Sequence, residues 1–243
     1  QEVYDNLCMA YRIAEHKDVM LPVMICQDGF ITSHAVENIV LNEDEDVKNF
    51  VGEYNPENSL LNPECPMAVG PYSVTNYYFE AKRAQAEALK NAKQVTLDVA
   101  REYAKISGRE YGLFEEYKMD DAEYAVVIIG SAAGTAKDAV DELREQGIKA
   151  GLIKIRLFRP FPAEEIAESL KNIKAVALMD RTESYNDNCG PIGSEVTTAL
   201  YRAGSNALAV NYVYGLGGRD VKVSDMVEVY KELVKTAEAG KVE

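Results

Sequence analysis

The chain has 243 residues, 47% of them hydrophobic, which is enough to bury a sizeable core and predicts two domains. A formal net charge of −14, with acidic runs at 42–47 (NEDEDV) and 114–123 (FEEYKMDDAE) and no basic tract to offset them, argues against nucleic acid or an anionic membrane surface as a partner. The longest apolar runs fall far short of a membrane span and no signal sequence is legible, so the expected location is cytoplasmic.

Residues 2–16 repeat Val3, Leu7, Ala10, Tyr11 and Ala14 at helical spacing and predict a helix. The pattern is already under way at Gln1, with no initiator Met and no N-cap before it, and reads as a cut through a longer protein. Residues 19–26 (VMLPVMIC) read as a strand in which Pro22 marks a bulge or an irregular position. The strand would deliver the polar group 27–34 at its carboxyl end, where α/β proteins place chemistry. Asp28, Thr32, Ser33 and His34 are therefore the catalytic candidates. No GxSxG elbow accompanies them. The bland alternative, which we prefer, has Ser33 or Thr32 capping a short helix near His34 while Asp28 fixes the turn.

The stretch 42–72 is acidic, then rich in proline (Pro56, Pro63, Pro66, Pro71), and reads as an irregular excursion that packs on a partner or lies over a site. Residues 76–107 carry apolar points at helical spacing from Phe79 to Ala104. Such a helix spans about 45 Å at 1.5 Å per residue, so it is expected either to break or to serve as an interaction arm before Gly108 ends it. A linker, 109–121, follows.

From residue 122 the pattern changes. Apolar runs at 124–129, 151–157, 175–179 and 207–214 alternate with amphipathic stretches at 135–146, 162–170, 192–203 and 224–237. Short β-rich runs separated by helices predict an open, mostly parallel α/β sheet whose crossovers are right-handed. Ser224 is the expected N-cap of the last helix, and the domain boundaries expected are 1–72, 73–121 and 122–243. The turn 130–135 (GSAAGT) lacks GxGxxG spacing and any following Lys, so a plain strand-to-helix turn is favoured over a phosphate loop. The turn 186–193 (NDNCGPIG) precedes a helix and is an anion candidate. The turn formed by Gly215, Leu216, Gly217, Gly218, Arg219 and Asp220 is the more unusual one, because three glycines permit close approach and Arg219 offers an anion donor. Arg219 is expected to donate to a carboxylate, Asp220 among them, or to a backbone carbonyl that holds the 215–220 loop, with subunit docking as the consequence, and a bound phosphate is the alternative. Cys8, Cys26, Cys65 and Cys189 show no metal-ligand spacing, and the first two are expected as buried reduced thiols. No metal site is expected in this chain.

Four motifs occur in a recognisable order: DGFITSHAVE (28–37), GLIKIRLFRPFP (151–162), MDRTES (179–184) with Gly190, Pro191 and Glu195, and YGLGGRDV (214–221). Together they resemble the α subunit of multi-subunit pyruvate:ferredoxin oxidoreductases. The resemblance covers essentially the whole chain. It implies an enzyme that decarboxylates a 2-oxoacid on thiamine diphosphate with Mg2+, transfers the acyl group to coenzyme A, and sends electrons through iron–sulfur clusters to ferredoxin. It also implies partner subunits: a thiamine-binding β, a γ and a ferredoxin-like δ. Residues 1–72 would be the remnant of the N-terminal pyrimidine-type domain, and 122–243 would be similar to the C-terminal domain of transketolase. The family's substrate- and cofactor-contacting Thr, Glu and Arg would lie upstream of Gln1, so no catalytic or cofactor residue is carried over. The chain alone is expected to be inactive and to serve structure and subunit interface. A small-anion or regulatory binding module is the alternative, and an independent hydrolase built on Asp28, Ser33 and His34 ranks last.

Overall fold

The structure, a computed structural model, describes every residue except Glu57, Asn186, Asp187 and Glu243. The chain divides into two compact units: Gln1–Gln27 with Ala35–Gly112, and Asp28–His34 with Leu113–Glu243. Helices in chain order are α1 (Glu2–Ala14), the single turn α2 (Ile31–His34), α3 (Asp44–Val51), α4 (Tyr78–Ser107), α5 (Ala132–Glu145), α6 (Ala163–Ser169), α7 (Pro191–Arg202) and α8 (Val223–Ala239). The strands are β1 (Phe114–Tyr117), β2 (Tyr124–Ile129), β3 (Ala150–Ile155), β4 (Ala175–Asp180) and β5 (Leu208–Val213). Among the described residues no helix is long and apolar enough to cross a membrane.

The first unit is helical. Met9 of α1, Phe50 of α3, and Val95, Val99, Ala100 and Tyr103 of α4 form its core. The long helix is unbroken over 30 residues. Its buried positions begin only at Ala92, and its first turns expose Phe79 at 80%. Of the two expectations for this segment, breakage is therefore excluded. Gly108 ends the helix in the left-handed region at φ 69°, its N–H bonded to Ala104 O at 2.9 Å. Inside the stretch expected to be irregular, three acids at the start of α3 suit a helix N-terminus, and Phe50 meets Tyr103 edge-on at 5.3 Å.

Residues 19–26 do not form the expected strand. A strand needs a neighbour to exchange backbone hydrogen bonds with, and the first unit has none among its described residues. Pro22 removes one donor and Met20 turns the backbone to φ 47°. Cys26, expected to be buried on that strand, is consequently exposed.

The second unit is the expected open sheet, in the order β1-β3-β2-β4-β5. Strands β2 to β5 are parallel; β1 lies antiparallel on β3, pairing Phe114 with Ile155 and Tyr117 with Leu152. Nothing in FEEY advertises a strand, because a short edge strand keeps its acids in solvent and buries little. Alternation along β2 sends Val126 and Ile128 to one face, beneath α5 and α8, and Ala125 and Val127 to the other, beneath α6 and α7. Apolar residues on both faces explain the continuous run at 124–129. The last helix begins at Val223 rather than after a Ser224 cap, with the Lys222 N–H donating to the Asp225 carboxylate at 2.9 Å.

Gly151 is the tightest point where β3 passes the 118–122 turn. A Cβ there would lie 2.6 Å from Met119 Sδ and 2.8 Å from Ala122 Cβ, while its carbonyl accepts the buried Tyr230 hydroxyl at 2.6 Å. Gly151→Ala is expected to destabilise the unit by about 1–3 kcal/mol through overpacking, read as a lower denaturant midpoint at constant slope. An unchanged midpoint would show that the turn yields freely.

Candidate functional site at the carboxyl edge of the sheet

Strand β2 is the first of the parallel strands. The chain then places β3 on one side of it and β4 and β5 on the other. The direction of winding therefore reverses beside β2, and the carboxyl ends of β2 and β4 bound the crevice where open α/β sheets take ligands. Gly130 and Ser131 follow β2, Arg181 follows β4, and Tyr214 and Gly215 follow β5.

Asp28 fills this position. Its Oδ2 accepts the Ser131 N–H at 3.1 Å and the Ser131 hydroxyl, and its Oδ1 accepts the Thr32 hydroxyl. Arg181 Nη1 stands 3.6 Å from Asp28 Oδ2, and Arg181 Nε donates to the Gly215 carbonyl at 3.4 Å. Gly215 is buried at φ 63°, and a Cβ there would meet Arg181 Nε at 2.9 Å, so the close approach requires glycine. Burial alone would raise the Asp28 pKa; the bonds from Ser131 and Thr32 and the charge of Arg181 outweigh it and hold the carboxyl below its ordinary range. Tyr214 is pushed up to about 12, by burial first, with Asp28 and Asp180 adding to it and Arg181 opposing.

A second carboxylate supports the floor. Asp180, 1% exposed, accepts the N–H of Ile192 at 2.8 Å and of Gly193 at 2.9 Å, together with Asn211 Nδ2 at 2.9 Å. Asn211 also donates to Leu178 O at 2.8 Å and accepts the Gly190 N–H at 3.1 Å. The first turn of α7 is thus neutralised from within. The anion reading of the 186–193 turn loses these two donors to Asp180; Asn186 and Asp187 themselves lie outside the described residues.

Of the first candidate group, Asp28 and Thr32 enter the cluster, whereas Ser33 and His34 do not. Ser33 Oγ accepts the Phe30 N–H at 2.9 Å and lies 2.8 Å from His34 Nδ1, while His34 stacks on Phe30 with centroids 5.1 Å apart. Asp28 bonds Ser131 and Thr32 instead of His34, so the order a triad needs is not assembled. In the second group only Gly215 joins the cluster. Gly217 and Gly218 lie in an exposed turn, and Arg219 and Asp220 are exposed, with no side-chain partner for Arg219 among the described residues. The loop is held by Arg181, which follows directly on β4 and donates to the Gly215 carbonyl, and not by the exposed Arg219. Ser131, Asp180 and Arg181 were not singled out from sequence. The available signal was their place immediately at or after the ends of predicted parallel strands. Two further motif residues do meet: Arg159 Nη2 pairs with Glu195 Oε1 at 2.7 Å.

Among the described residues no group of three or more His, Cys, Asp or Glu stands together as a metal site. Cys8 is buried, Cys26 and Cys65 are exposed and Cys189 is half-buried, with no clustering that fits an iron–sulfur centre.

Two family models match in succession: one described as pyruvate flavodoxin/ferredoxin oxidoreductase, thiamine diphosphate-binding, over residues 1–101, and one described as pyruvate:ferredoxin oxidoreductase core domain II, over residues 122–226. The pyruvate synthase subunit PorA of Thermotoga maritima is 45% identical over 96% of this chain and 59% of its own length. The α subunit of the NADH-dependent phenylglyoxylate dehydrogenase of Aromatoleum evansii is 40% identical over 96% of this chain and 58% of its own. The chain therefore spans about three fifths of the length of these curated relatives. Among solved structures, a 2-oxoglutarate:ferredoxin oxidoreductase from Magnetococcus marinus is similar in fold, with a TM-score of 0.50 at 18% identity over 74% of this chain and 29% of that one. With both family models matched in order and such relatives along nearly its whole length, the chain belongs to the pyruvate:ferredoxin oxidoreductase family, on the side of the α subunit.

Proposed function

We propose that the chain is part of the α subunit of an oxidoreductase that decarboxylates a 2-oxoacid, pyruvate in the first instance, forms the acyl-coenzyme A and CO2, and reduces ferredoxin. The ordered match of both family models carries this reading. The first of the two units, α4 included, is the tail of a first domain, and the second unit is the second domain. Partner subunits of the β, γ and ferredoxin-like δ kind complete the enzyme, and the exposed Gly217, Gly218, Arg219 and Asp220 face one of them. Thiamine diphosphate supplies the electron sink for decarboxylation when it is bound, and coenzyme A accepts the acyl group.

The residues of this chain do not suit the cofactors by themselves. The Ser131 amide at the start of α5 and the Ile192 and Gly193 amides of α7, which a diphosphate would seek, already bond Asp28 and Asp180. Mg2+ and the clusters find no grouped ligands among the described residues. The role read for these two units is to hold the architecture and the interface. Calorimetry of the chain with thiamine diphosphate is expected to show no micromolar binding. The complete α subunit assembled with its partners is expected to reduce ferredoxin in a reaction that needs both 2-oxoacid and coenzyme A. Comparing pyruvate, 2-ketoisovalerate and phenylglyoxylate reads the substrate. Tight cofactor binding by the chain alone, or no acid-dependent reduction by the assembly, contradicts the proposal.

A further inference from the structure

The crevice at the switch point takes a ligand in many open α/β proteins; here it takes the chain's own carboxylate. Asp28 reaches the end of β2 across a sequence separation of 103 residues. Residues Asp28–His34 belong by their contacts to the second unit, although the residues on either side of them belong to the first. Apart from the Asp28 carboxylate, little holds this segment. Its residues 29–34 are exposed, α2 is a single turn of 4 residues with no buried position, and Phe30, 72% exposed, keeps a left-handed φ of 69°. A bulky residue in that conformation persists only where its surroundings enforce it. The enforcing contacts converge on one atom: Asp28 Oδ2 meets the Ser131 amide, the Ser131 hydroxyl and Arg181. Arg181 is itself braced by the Gly215 carbonyl.

We infer that Ser131 and Arg181 are positioning residues for the loop 28–34: they latch Asp28 at the switch point and so present Thr32, Ser33 and His34 as a fixed polar group at the carboxyl edge of the sheet. The latch is a property of this chain. Its consequence for turnover rests on the function proposed above.

The test has two arms. Amide hydrogen exchange of the 243-residue chain reads the latch directly. In Arg181→Ala and in Ser131→Ala the amides of 29–34 are expected to exchange about tenfold faster or more, while those of β2 and β4 stay protected. Arg181→Lys is expected to restore most of the protection, because the contact to Asp28 is a charge pair at 3.6 Å and not a two-pronged fork. Unchanged exchange at 29–34 in both alanine variants, with β2 still protected, overturns the latch. The second arm measures 2-oxoacid-dependent ferredoxin reduction by the assembled enzyme. Arg181→Ala is expected to lower kcat about tenfold, as for a misplaced group, with Arg181→Lys recovering it and KM for ferredoxin unmoved. Faster exchange with unaltered kcat overturns the positioning role. An unsubstituted assembly with no such activity would count against the proposed function alone and would leave the exchange result standing.

Discussion

Replacing Asp5 by alanine is expected to destabilise the first unit by about 3–5 kcal/mol, the cost typical of breaking a buried charge pair from one side. Asp5 is fully buried on α1, and every acceptor position of its carboxylate is used. Arg109 grips it in a two-pronged fork, Nε to Oδ2 at 2.7 Å and Nη2 to Oδ1 at 2.8 Å. The Tyr103 hydroxyl donates to Oδ1 at 2.6 Å, the Tyr111 hydroxyl donates to Oδ2, and Gln1 Nε2 donates to Oδ1 at 3.2 Å. Asn42 closes the network by donating to Tyr103 Oη at 2.7 Å. One carboxylate thus ties the start of α1 to the end of α4 and to the chain beyond Gly108. Its removal leaves the half-buried Arg109 guanidinium facing two phenols. Urea titration of the wild-type chain and the variant measures the effect, and a loss below about 1 kcal/mol would mean that Arg109 finds water or another acceptor.

The same carboxylate makes the unit acid-labile. Burial by itself would raise its pKa, but the bonds from Arg109, Tyr103, Tyr111 and Gln1 prevail and bring it from 3.8 to about 2. Because the folded-state value lies below the unfolded one, the stabilisation is complete above about pH 4 and is lost as pH falls toward 2. It amounts to about 2 kcal/mol by linkage. Both tyrosines are raised, by burial first and then by their bonds to Asp5, so they stay protonated donors across this window. Stability measured from pH 5 to pH 2 should fall in the wild type, and the component due to Asp5 should vanish in Asp5→Asn. Parallel curves for the two proteins would assign the acid sensitivity to other carboxylates.

The second large effect is expected where β4 hands over to α7. Asp180→Ala strands the Ile192 and Gly193 amides in a buried place and removes a partner of Asn211, at an expected cost of about 3–5 kcal/mol. Gly190→Ala attacks the same junction by crowding, since its Cβ would fall 2.3 Å from Asp180 Cγ. The two substitutions should not add. Removing the carboxylate takes away the contacts to Asp180 Cγ and Oδ2 at 2.3 and 2.5 Å and leaves the one to Cβ at 2.5 Å, so part of the crowding is relieved and the double variant is expected to cost about 1 kcal/mol less than the sum of the singles. Strict additivity in a thermodynamic cycle would mean that the backbone, not Asp180, bears the strain at Gly190.

The second unit was legible in the sequence because buried parallel strands leave an unmistakable trace. Both faces of β2 and β4 are covered, so their runs are continuously apolar, and the helices between them repeat their apolar positions at helical spacing. Such local patterns need no knowledge of what packs on what. The four ordered motifs also identified the family from residues alone. Where a segment's conformation depends on a neighbour, the same reading went astray. Residues 19–26 are as apolar as a strand but have no strand to pair with, and FEEY is acidic yet pairs with β3 because that edge was open. The candidate site divides along the same line. Asp28, Thr32 and Gly215 could be nominated by residue type and by their place after an apolar run. That Asp28 bonds Ser131 instead of His34, and that Arg181 instead of Arg219 holds the Gly215 turn, follows only from the strand order β1-β3-β2-β4-β5. That order brings the carboxyl ends of β2, β4 and β5 together, and contacts between residues 103 and 34 positions apart have no counterpart in local periodicity. Sequence thus determined which segments are helix or buried strand in the α/β unit and which family they serve. The tertiary structure alone decided which charged side chains meet, because a side chain's partner is set by the order of strands in the sheet and not by the spacing of residues along the chain.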